Sequence, residues 1–260
     1  MRRRLGDPLP VDDLQDRYAG WHAEKVYEWE AGRPTYRLTG DGEVRYVKIV
    51  PAGVGDLPGE ATRLRWAADW VRVPQLIEFG SDGDRDWLMT AELSGVDAAI
   101  HPLRDRDPAA LAAAFGRGLR AFHDAIPIDE CPFDLRLPTA LRLSLARFEA
   151  GLIDGSLFDI PVPAALERVT ELSPAEDLVV CHGDYCLPNA FLVGDVVTGY
   201  IDVGAINVAD RWLDLSVALR SLSATYNLGP GYEDAFLEAY GIARDSDKAE
   251  RYLLLYDLAY

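Results

Sequence analysis

The amino-acid sequence predicts an α+β protein of two lobes, a small antiparallel sheet with one main helix followed by a larger, mostly helical lobe. Two observations predict this division. Apolar and polar residues alternate in short runs as far as about Leu93, which is the period of a strand. From about Ser94 onward apolar residues recur at spacings of three and four, which is the period of a helix. We therefore expect one lobe over residues 1–93 and a second over residues 94–260.

The first lobe is predicted to be strand-rich. Short strands separated by glycine, proline and Asp-Gly turns are expected as far as about Val50. The last of them, Arg45–Val50, alternates polar and apolar residues and carries Lys48. A second hairpin is predicted from residues 74–80 and 86–93. These strands together predict one antiparallel sheet.

A helix is predicted between Val50 and the second hairpin. Its apolar positions recur at spacings of three and four and are Leu57, Ala61, Leu64, Ala68 and Val71. Glu60 lies near its start, where it is the candidate ion-pair partner of Lys48. A strand lysine paired with a helix glutamate holds the α- and β-phosphates of ATP in kinases. On these residues alone, a solvated lysine and a glutamate stabilised by the helix dipole is the alternative.

The second lobe is predicted to contain six helices and one hairpin. Apolar residues at helical spacing place the helices at residues 111–122, 141–148, 164–172, 213–222, 235–240 and 249–258. The hairpin consists of Ala190–Val193 and Val196–Ile201, two apolar runs with β-branched residues, separated by Gly194-Asp195. We expect only this hairpin to interrupt the helices.

The segment Val179–Gly204 carries the strongest functional signal. Asp184, Asn189 five residues later and Asp202 in an Asp-x-Gly turn follow the spacing of a kinase catalytic loop. In kinases these positions accept the substrate hydroxyl proton and bind Mg²⁺. The hairpin returns Asp202 to the level of Asn189, so two oxygen ligands suited to Mg²⁺ face one another. The pattern predicts phosphoryl transfer from ATP in a bilobal protein-kinase-like fold.

Two histidines receive local roles. His182 precedes Asp184 by two residues and is interpreted as a hydrogen-bonded organiser of the loop, because Asp184 already fills the role of base. His123 follows the apolar face of a predicted helix and is interpreted as a residue that caps or packs locally.

These motifs together resemble the aminoglycoside O-phosphotransferase family, with the 3′-phosphotransferases and the streptomycin 3″-phosphotransferases as the nearest subfamilies. The resemblance runs from about Tyr36 to the last residue. The segments that carry it are Val180–Asn189, Tyr200–Gly204, Ala209–Leu215, Phe122-His123, Cys131–Phe133 and Tyr252–Asp257.

The resemblance implies a role for each matching position. Asp184 resembles the catalytic aspartate, Asn189 and Asp202 the Mg²⁺ ligands, and Lys48 with Glu60 the pair that binds the phosphates of ATP. Arg211 occupies a basic position that orders the catalytic loop. The segment that joins the lobes, whose backbone would meet adenine, corresponds to Met89, Thr90, Ala91 and Glu92. The implied activity is transfer of the γ-phosphate of ATP to an aminoglycoside hydroxyl, which gives antibiotic resistance.

The sequence departs from the family pattern at three places, one of which is the segment after Arg220, residues 221–225, which lacks the acidic residues that some relatives have there. After Asp202-Val203-Gly204 the family usually continues Arg-x-Gly-x-Ala-Asp, whereas Ala205–Asp210 lacks that arginine and that glycine. Near the chain end, where the 3′ subfamily has two acidic residues that reach substrate amines, Leu258 replaces one expected carboxylate. The candidate substrate-binding residues are Asp257, Tyr260 and Arg220.

Composition narrows the partners and the compartment. The chain has 26 basic and 43 acidic side chains and a net charge of −17, which disfavours nucleic acid and anionic membranes. The charge favours a small cationic antibiotic, although solubility alone is the alternative explanation. Three cysteines form no disulfide framework, and neither a signal-peptide core nor an 18-residue apolar run is present, so we expect a cytoplasmic protein.

Two other functions fit the same residues. A kinase of this fold that acts on a macrolide, a viomycin-type peptide or a metabolite hydroxyl would keep every catalytic residue. A non-catalytic binder would keep the fold and lose turnover through the altered segment after Gly204. The acceptor hydroxyl, the choice between ATP and GTP and the oligomeric state are left open by the sequence.

Overall fold

The structure, a computed structural model, describes residues 9–28 and 31–260. The chain forms two compact units, Met1–Ser94 and Gly95–Tyr260. The first contains an antiparallel sheet with helices and the second is mostly helical, so the predicted α+β fold class is confirmed.

The first unit is built on a five-stranded antiparallel sheet with the order β1-β2-β3-β5-β4. Val47 and Ile49 on the central strand are fully buried, and because side chains alternate along a strand Lys48 lies on the opposite face. This arrangement presents the lysine while its neighbours fill the core. The strands are β1 (His22–Glu28), β2 (Pro34–Gly40), β3 (Glu43–Pro51), β4 (Leu76–Ser81) and β5 (Arg85–Ala91).

A short helix, α1 (Asp12–Arg17), precedes the sheet, where the sequence was expected to form strands. Aspartates in its first turn and Arg17 in its last match the helix dipole. Only Leu14 is buried. One apolar anchor leaves no periodicity to read, which explains why the strand prediction is wrong there.

The predicted helix after β3 is present as α2 (Leu57–Ala67). The Asp56 side chain caps it by accepting a hydrogen bond from the Gly59 amide at 3.0 Å. The helix ends before the last two apolar positions of the pattern. The chain continues as a turn in which the Val71 amide donates to the Ala67 carbonyl at 2.9 Å, so the helical spacing persists beyond the helix.

All six helices predicted in the second unit are present. A further short helix, α3 (Leu103–Arg106), was not predicted because it has a single turn. Within the described residues, no helix is both long enough and apolar enough to cross a membrane. The six are α4 (Pro108–Ala125), α5 (Leu137–Glu149), α6 (Val162–Thr170), α7 (Trp212–Ser223), α8 (Glu233–Tyr240) and α9 (Ser246–Ala259).

The predicted hairpin is confirmed as β8 (Ala190–Val193) and β9 (Val196–Tyr200). Val193 pairs with Val196, which leaves Gly194-Asp195 as a two-residue turn, and Gly194 has the positive φ of 66° that such turns require.

Three short strands besides the hairpin also interrupt the helices, so the expectation of a single interruption is wrong. The strand β6 (Val96–Asp97) adds to β8, and β7 (Leu178–Cys181) pairs antiparallel with β10 (Asn207–Asp210). Each has four residues or fewer and pairs with a distant segment. Alternation cannot be recognised over so few residues.

Candidate active site

The predicted catalytic loop lies between β7 and β8. Its Asp184 side chain is held by Asn189 from the same segment and by Tyr256 from α9. The side-chain amide of Asn189 donates to Asp184 Oδ2 at 3.0 Å and to the Asp184 carbonyl at 3.0 Å. The hydroxyl of Tyr256, on α9, donates to Asp184 Oδ1 at 3.1 Å. The carboxylate is half-buried and held in one orientation.

The electrostatic surroundings of Asp184 oppose its ionisation. Burial is the main cause that raises the pKa of this carboxyl above its ordinary value, and the negative charge of Asp202 raises it further. The hydrogen bonds from Tyr256 and Asn189 act in the other direction.

His182 contacts two backbone groups around this loop. Its Nε2 is 3.0 Å from the Ile201 carbonyl, and its Nδ1 accepts a hydrogen bond from the Asp184 amide at 3.3 Å. The ring therefore links the backbone of Asp184 to the residue that precedes Asp202.

The two predicted metal ligands are brought together by the end of the hairpin. The Ile201 amide donates to the Asn189 carbonyl at 3.0 Å. The backbone of Asp202, the next residue, therefore lies close to the backbone of Asn189. Asp202 is exposed and adopts a left-handed conformation, with φ 58° and ψ 44°, which aspartate tolerates better than most residues.

The donor set fits a hard divalent cation. The Asn189 amide nitrogen donates twice to Asp184, so the Asn189 Oδ1 is the atom suited to ligation. With the Asp202 carboxylate it supplies the oxygen donors that Mg²⁺ prefers. These two residues would hold the ion.

Gly183 allows the predicted catalytic loop to approach the segment after Asp202. Its φ is +86°, and a Cβ atom there would lie 2.1 Å from the Ala205 carbonyl oxygen. Only glycine combines this conformation with this close contact.

We expect Gly183→Ala to lower the free energy of unfolding by more than the about 1–2 kcal/mol that a left-handed conformation costs an L-residue. The matched control is Gly194→Ala, because Gly194 also has a positive φ of 66° and no heavy atom within 4 Å of its Cβ position. Urea unfolding of both variants separates the two costs. Equal losses would show that the contact with Ala205 adds nothing.

Asp214, on α7, binds the backbone at the start of the predicted catalytic loop. Its Oδ2 accepts from the His182 amide at 2.7 Å and its Oδ1 accepts from the Gly183 amide at 2.8 Å. His123 Nε2 is 2.9 Å from Oδ2, and neither the His123 nor the Asp214 side chain is exposed. Each donor to this carboxylate is thereby satisfied away from water.

The anchor extends to the surface through a chain of hydrogen bonds. His123 Nδ1 is 2.8 Å from the Tyr240 hydroxyl, which accepts from Arg211 Nη1 at 2.9 Å. With Nε2 as the donor to Asp214 and Nδ1 as the acceptor from Tyr240, His123 satisfies both of its contacts. Arg211 also pairs with Asp177 at 2.7 Å. It therefore reaches the loop through Tyr240, His123 and Asp214.

His123 does more than the local packing that the sequence suggested, because it joins α4 to the Asp214 anchor. The roles of Asp214 and Tyr240 were also missed. A buried carboxylate inside the apolar run Trp212–Leu215 is the signal that could have identified Asp214, since such a group requires partners.

We expect Asp214→Ala to lower the free energy of unfolding by about 3–5 kcal/mol, because it leaves two loop amides and a histidine without their acceptor. The control is Asp124→Ala, which removes an exposed i,i+4 pair with Arg120 and is expected to cost under about 1 kcal/mol. Denaturant unfolding measures both. Similar losses in the two variants would contradict an anchoring role.

The predicted ion pair in the first unit is present. Lys48 Nζ lies 2.8 Å and 3.0 Å from the two carboxylate oxygens of Glu60, and the two side chains are 30% and 17% exposed. The sheet and the capped first turn of α2 hold the pair in place.

The predicted connecting segment lies mostly on β5. Met89 is fully buried in the core, and Thr90 pairs with Tyr46. The Ala91 and Glu92 amides donate to the Gln75 and Val44 carbonyls at 2.9 Å and 3.1 Å. These two amides are thus used within the first unit.

The candidate substrate-binding residues lie around the end of α9. Arg220 Nη1 donates to Asp257 Oδ1 at 2.6 Å, and burial raises the pKa of the Asp257 carboxyl while Arg220 opposes that rise. The Tyr260 hydroxyl accepts from Asn207 Nδ2 at 2.6 Å and donates to the Ala205 carbonyl at 3.3 Å. The segment that departs from the family pattern, Ala205–Asp210, is therefore held by the Tyr260 hydroxyl and by the pairing of β10 with β7.

An α+β fold with a candidate base and two oxygen ligands spaced around one hairpin characterises the kinase-like phosphotransferases. Comparison with known proteins narrows this class. A model described as the phosphotransferase enzyme family matches residues 24–253, and the chain belongs to this family.

Similar sequences include two aminoglycoside 3′-phosphotransferases. The chain is 38% identical over 256 residues to an aminoglycoside 3′-phosphotransferase of Streptomyces fradiae, covering 90% of this chain and 93% of the relative. It is 36% identical to another of that name from Streptomyces ribosidificus, covering 90% and 94%. The resemblance predicted from the motifs is confirmed.

Solved structures of aminoglycoside phosphotransferases have a similar fold. The crystal structure of an aminoglycoside-3′-phosphotransferase of type VIII superposes with a TM-score of 0.83 at 33% identity, covering 95% of this chain and 97% of that chain. The aminoglycoside phosphotransferase APH(3″)-Id from Streptomyces rimosus, in complex with ADP and streptomycin, gives a TM-score of 0.74 at 26% identity, covering 95% and 96%.

Proposed function

We propose that this protein transfers the γ-phosphate of ATP to the 3′-hydroxyl of an aminoglycoside antibiotic. The orientation of Asp184 by Asn189 and Tyr256 carries the proposal of hydroxyl phosphorylation. The names of the relatives from Streptomyces fradiae and Streptomyces ribosidificus support the 3′ position.

In this proposal the chain's own residues do the following work. Asp184 accepts a hydrogen bond from the acceptor hydroxyl, aligns its oxygen for in-line attack and takes its proton late. Lys48, held by Glu60, binds the α- and β-phosphates. Asn189 and Asp202 would hold Mg²⁺, which would neutralise charge on the phosphates.

Each unit has its own share of this function. We assign nucleotide binding to residues 1–93, including the segment Met89–Glu92, and catalysis with acceptor binding to residues 94–260. His182 and Arg211 keep the loop in order, directly and through Tyr240 respectively.

The net charge supports a cationic acceptor, and the cysteines support a cytoplasmic location. A net charge of −17 raises the local concentration of a polycationic acceptor. The three cysteines are free thiols, as expected in a reducing compartment. We therefore place the protein in the cytoplasm and assign it a role in antibiotic resistance.

The experiment that tests this function uses a matched pair of acceptors. Kanamycin B carries a 3′-hydroxyl, and tobramycin is its 3′-deoxy analogue. After incubation with protein, ATP and Mg²⁺, mass spectrometry is expected to show one added phosphate on kanamycin B and none on tobramycin. Phosphorylation of both would place the acceptor elsewhere. Transfer only to a macrolide or to viomycin would favour a different kinase of this fold, and ATP binding without any ADP release would favour a non-catalytic binder.

A further inference from the structure

Tyr256 is the residue of α9 that touches the candidate base, and the sequence analysis assigned it no role. Its hydroxyl lies 3.1 Å from Asp184 Oδ1, on the side of the carboxylate away from the Asn189 contact to Oδ2. An ionised carboxylate has about four lone-pair sites. Two donors therefore fix its orientation and still leave sites for an acceptor hydroxyl.

The ring of Tyr256 is itself held in place. The Arg220 guanidinium lies 5.1 Å from its centroid, and the Tyr260 ring lies 5.1 Å away at an angle of 41°. Arg220 is tied in turn to Asp257. Burial, with the nearby charge of Asp184, raises the pKa of the Tyr256 hydroxyl, so the group stays a hydrogen-bond donor at neutral pH.

The same end of α9 also touches the segment that follows Asp202. The Tyr260 hydroxyl joins Asn207 and Ala205 through its two hydrogen bonds, one turn of helix beyond Tyr256. Two tyrosines four residues apart lie on one face of a helix. This face contacts both the loop of Asp184 and the chain after Asp202.

We propose that Tyr256 is a positioning residue for phosphoryl transfer, which holds the Asp184 carboxylate in the orientation that receives the acceptor hydroxyl. The inference rests on the proposed function. Tyr256 acts through Asp184, so its contribution requires that carboxylate.

The test is a double-mutant cycle of Tyr256→Phe and Asp184→Ala. Tyr256→Phe keeps the ring and removes the hydroxyl, and it is expected to lower kcat about 10- to 100-fold, the effect of one hydrogen bond to a charged group. The KM for ATP is expected to stay unchanged, because the Lys48–Glu60 pair does not involve Tyr256. In the Asp184→Ala background the same substitution is expected to lower kcat no further, because the group that it orients is gone.

The matched control is Tyr252→Phe, one turn earlier on α9, where the ring is buried and lies against Lys248. It is expected to leave kcat unchanged. If the wild type phosphorylates no aminoglycoside, the proposed function fails, and the cycle is read on acceptor-free ATP hydrolysis, where the same pattern is expected. Multiplicative effects of the two substitutions, or an unchanged kcat for Tyr256→Phe, would overturn the inference.

Discussion

Replacing Asp184 by alanine is expected to lower kcat for aminoglycoside phosphorylation by about 10²–10⁴-fold, the range that a positioned general base contributes. The acceptor hydroxyl loses the group that aligns it and takes its proton. Binding of ATP is expected to persist, because Lys48 and Glu60 lie in the other compact unit and their pairing is independent of Asp184. Steady-state kinetics and calorimetric titration with ATP measure the two quantities.

The control for this variant is Asp195→Ala. Asp195 is an exposed carboxylate in the two-residue turn between β8 and β9. Its replacement by alanine removes one negative charge, as Asp184→Ala does, at a position away from the candidate base. Its kcat is expected to match the wild type. Turnover of the Asp184 variant within a factor of about ten of wild type would remove Asp184 from the role of base.

The second large effect is expected for Asp202→Ala. This substitution removes the charged member of the oxygen donor pair, so Mg²⁺-dependent nucleotide affinity is expected to fall by more than about 100-fold, beyond the usual cost of losing an outer-shell partner. Binding measured in EDTA is expected to change little. Fluorescence titration with a labelled ATP analogue, with and without Mg²⁺, gives the comparison.

Asp202→Asn separates this effect from backbone strain. Asparagine tolerates the left-handed conformation of residue 202 as aspartate does, whereas alanine is strained there. The asparagine variant is therefore expected to fold like the wild type and still lose much of its Mg²⁺-dependent affinity, because the carboxylate charge is gone. If both variants kept the Mg²⁺ dependence of the wild type, Asp202 would not be a metal ligand.

Local patterns in the sequence were enough to predict much of this molecule. The β8–β9 hairpin was recognised because two apolar runs flank a Gly-Asp pair, and the helices because their apolar spacing is regular. The Lys48–Glu60 pair followed from the alternation of β3 and the position of Glu60 in the first turn of α2.

The supports of the catalytic loop could not be predicted in the same way. Asp214 meets the amides of residues 182 and 183 across 32 and 31 positions of the chain, and His123 meets Asp214 across 91. Tyr256 meets Asp184 across 72. Such contacts depend on tertiary packing and leave no short-range spacing in the sequence. The strands β7 and β10 escaped prediction for the same reason.

The position of the phosphate on the product distinguishes transfer to the 3′-hydroxyl from transfer to any other hydroxyl. Kanamycin B treated with the protein, ATP and Mg²⁺ is purified, and the phosphorus–proton correlation is recorded by NMR. We expect coupling of phosphorus to the proton on C3′, with no product from the Asp184→Ala protein. Coupling to any other ring proton, or the same product from the Asp184 variant, would contradict it.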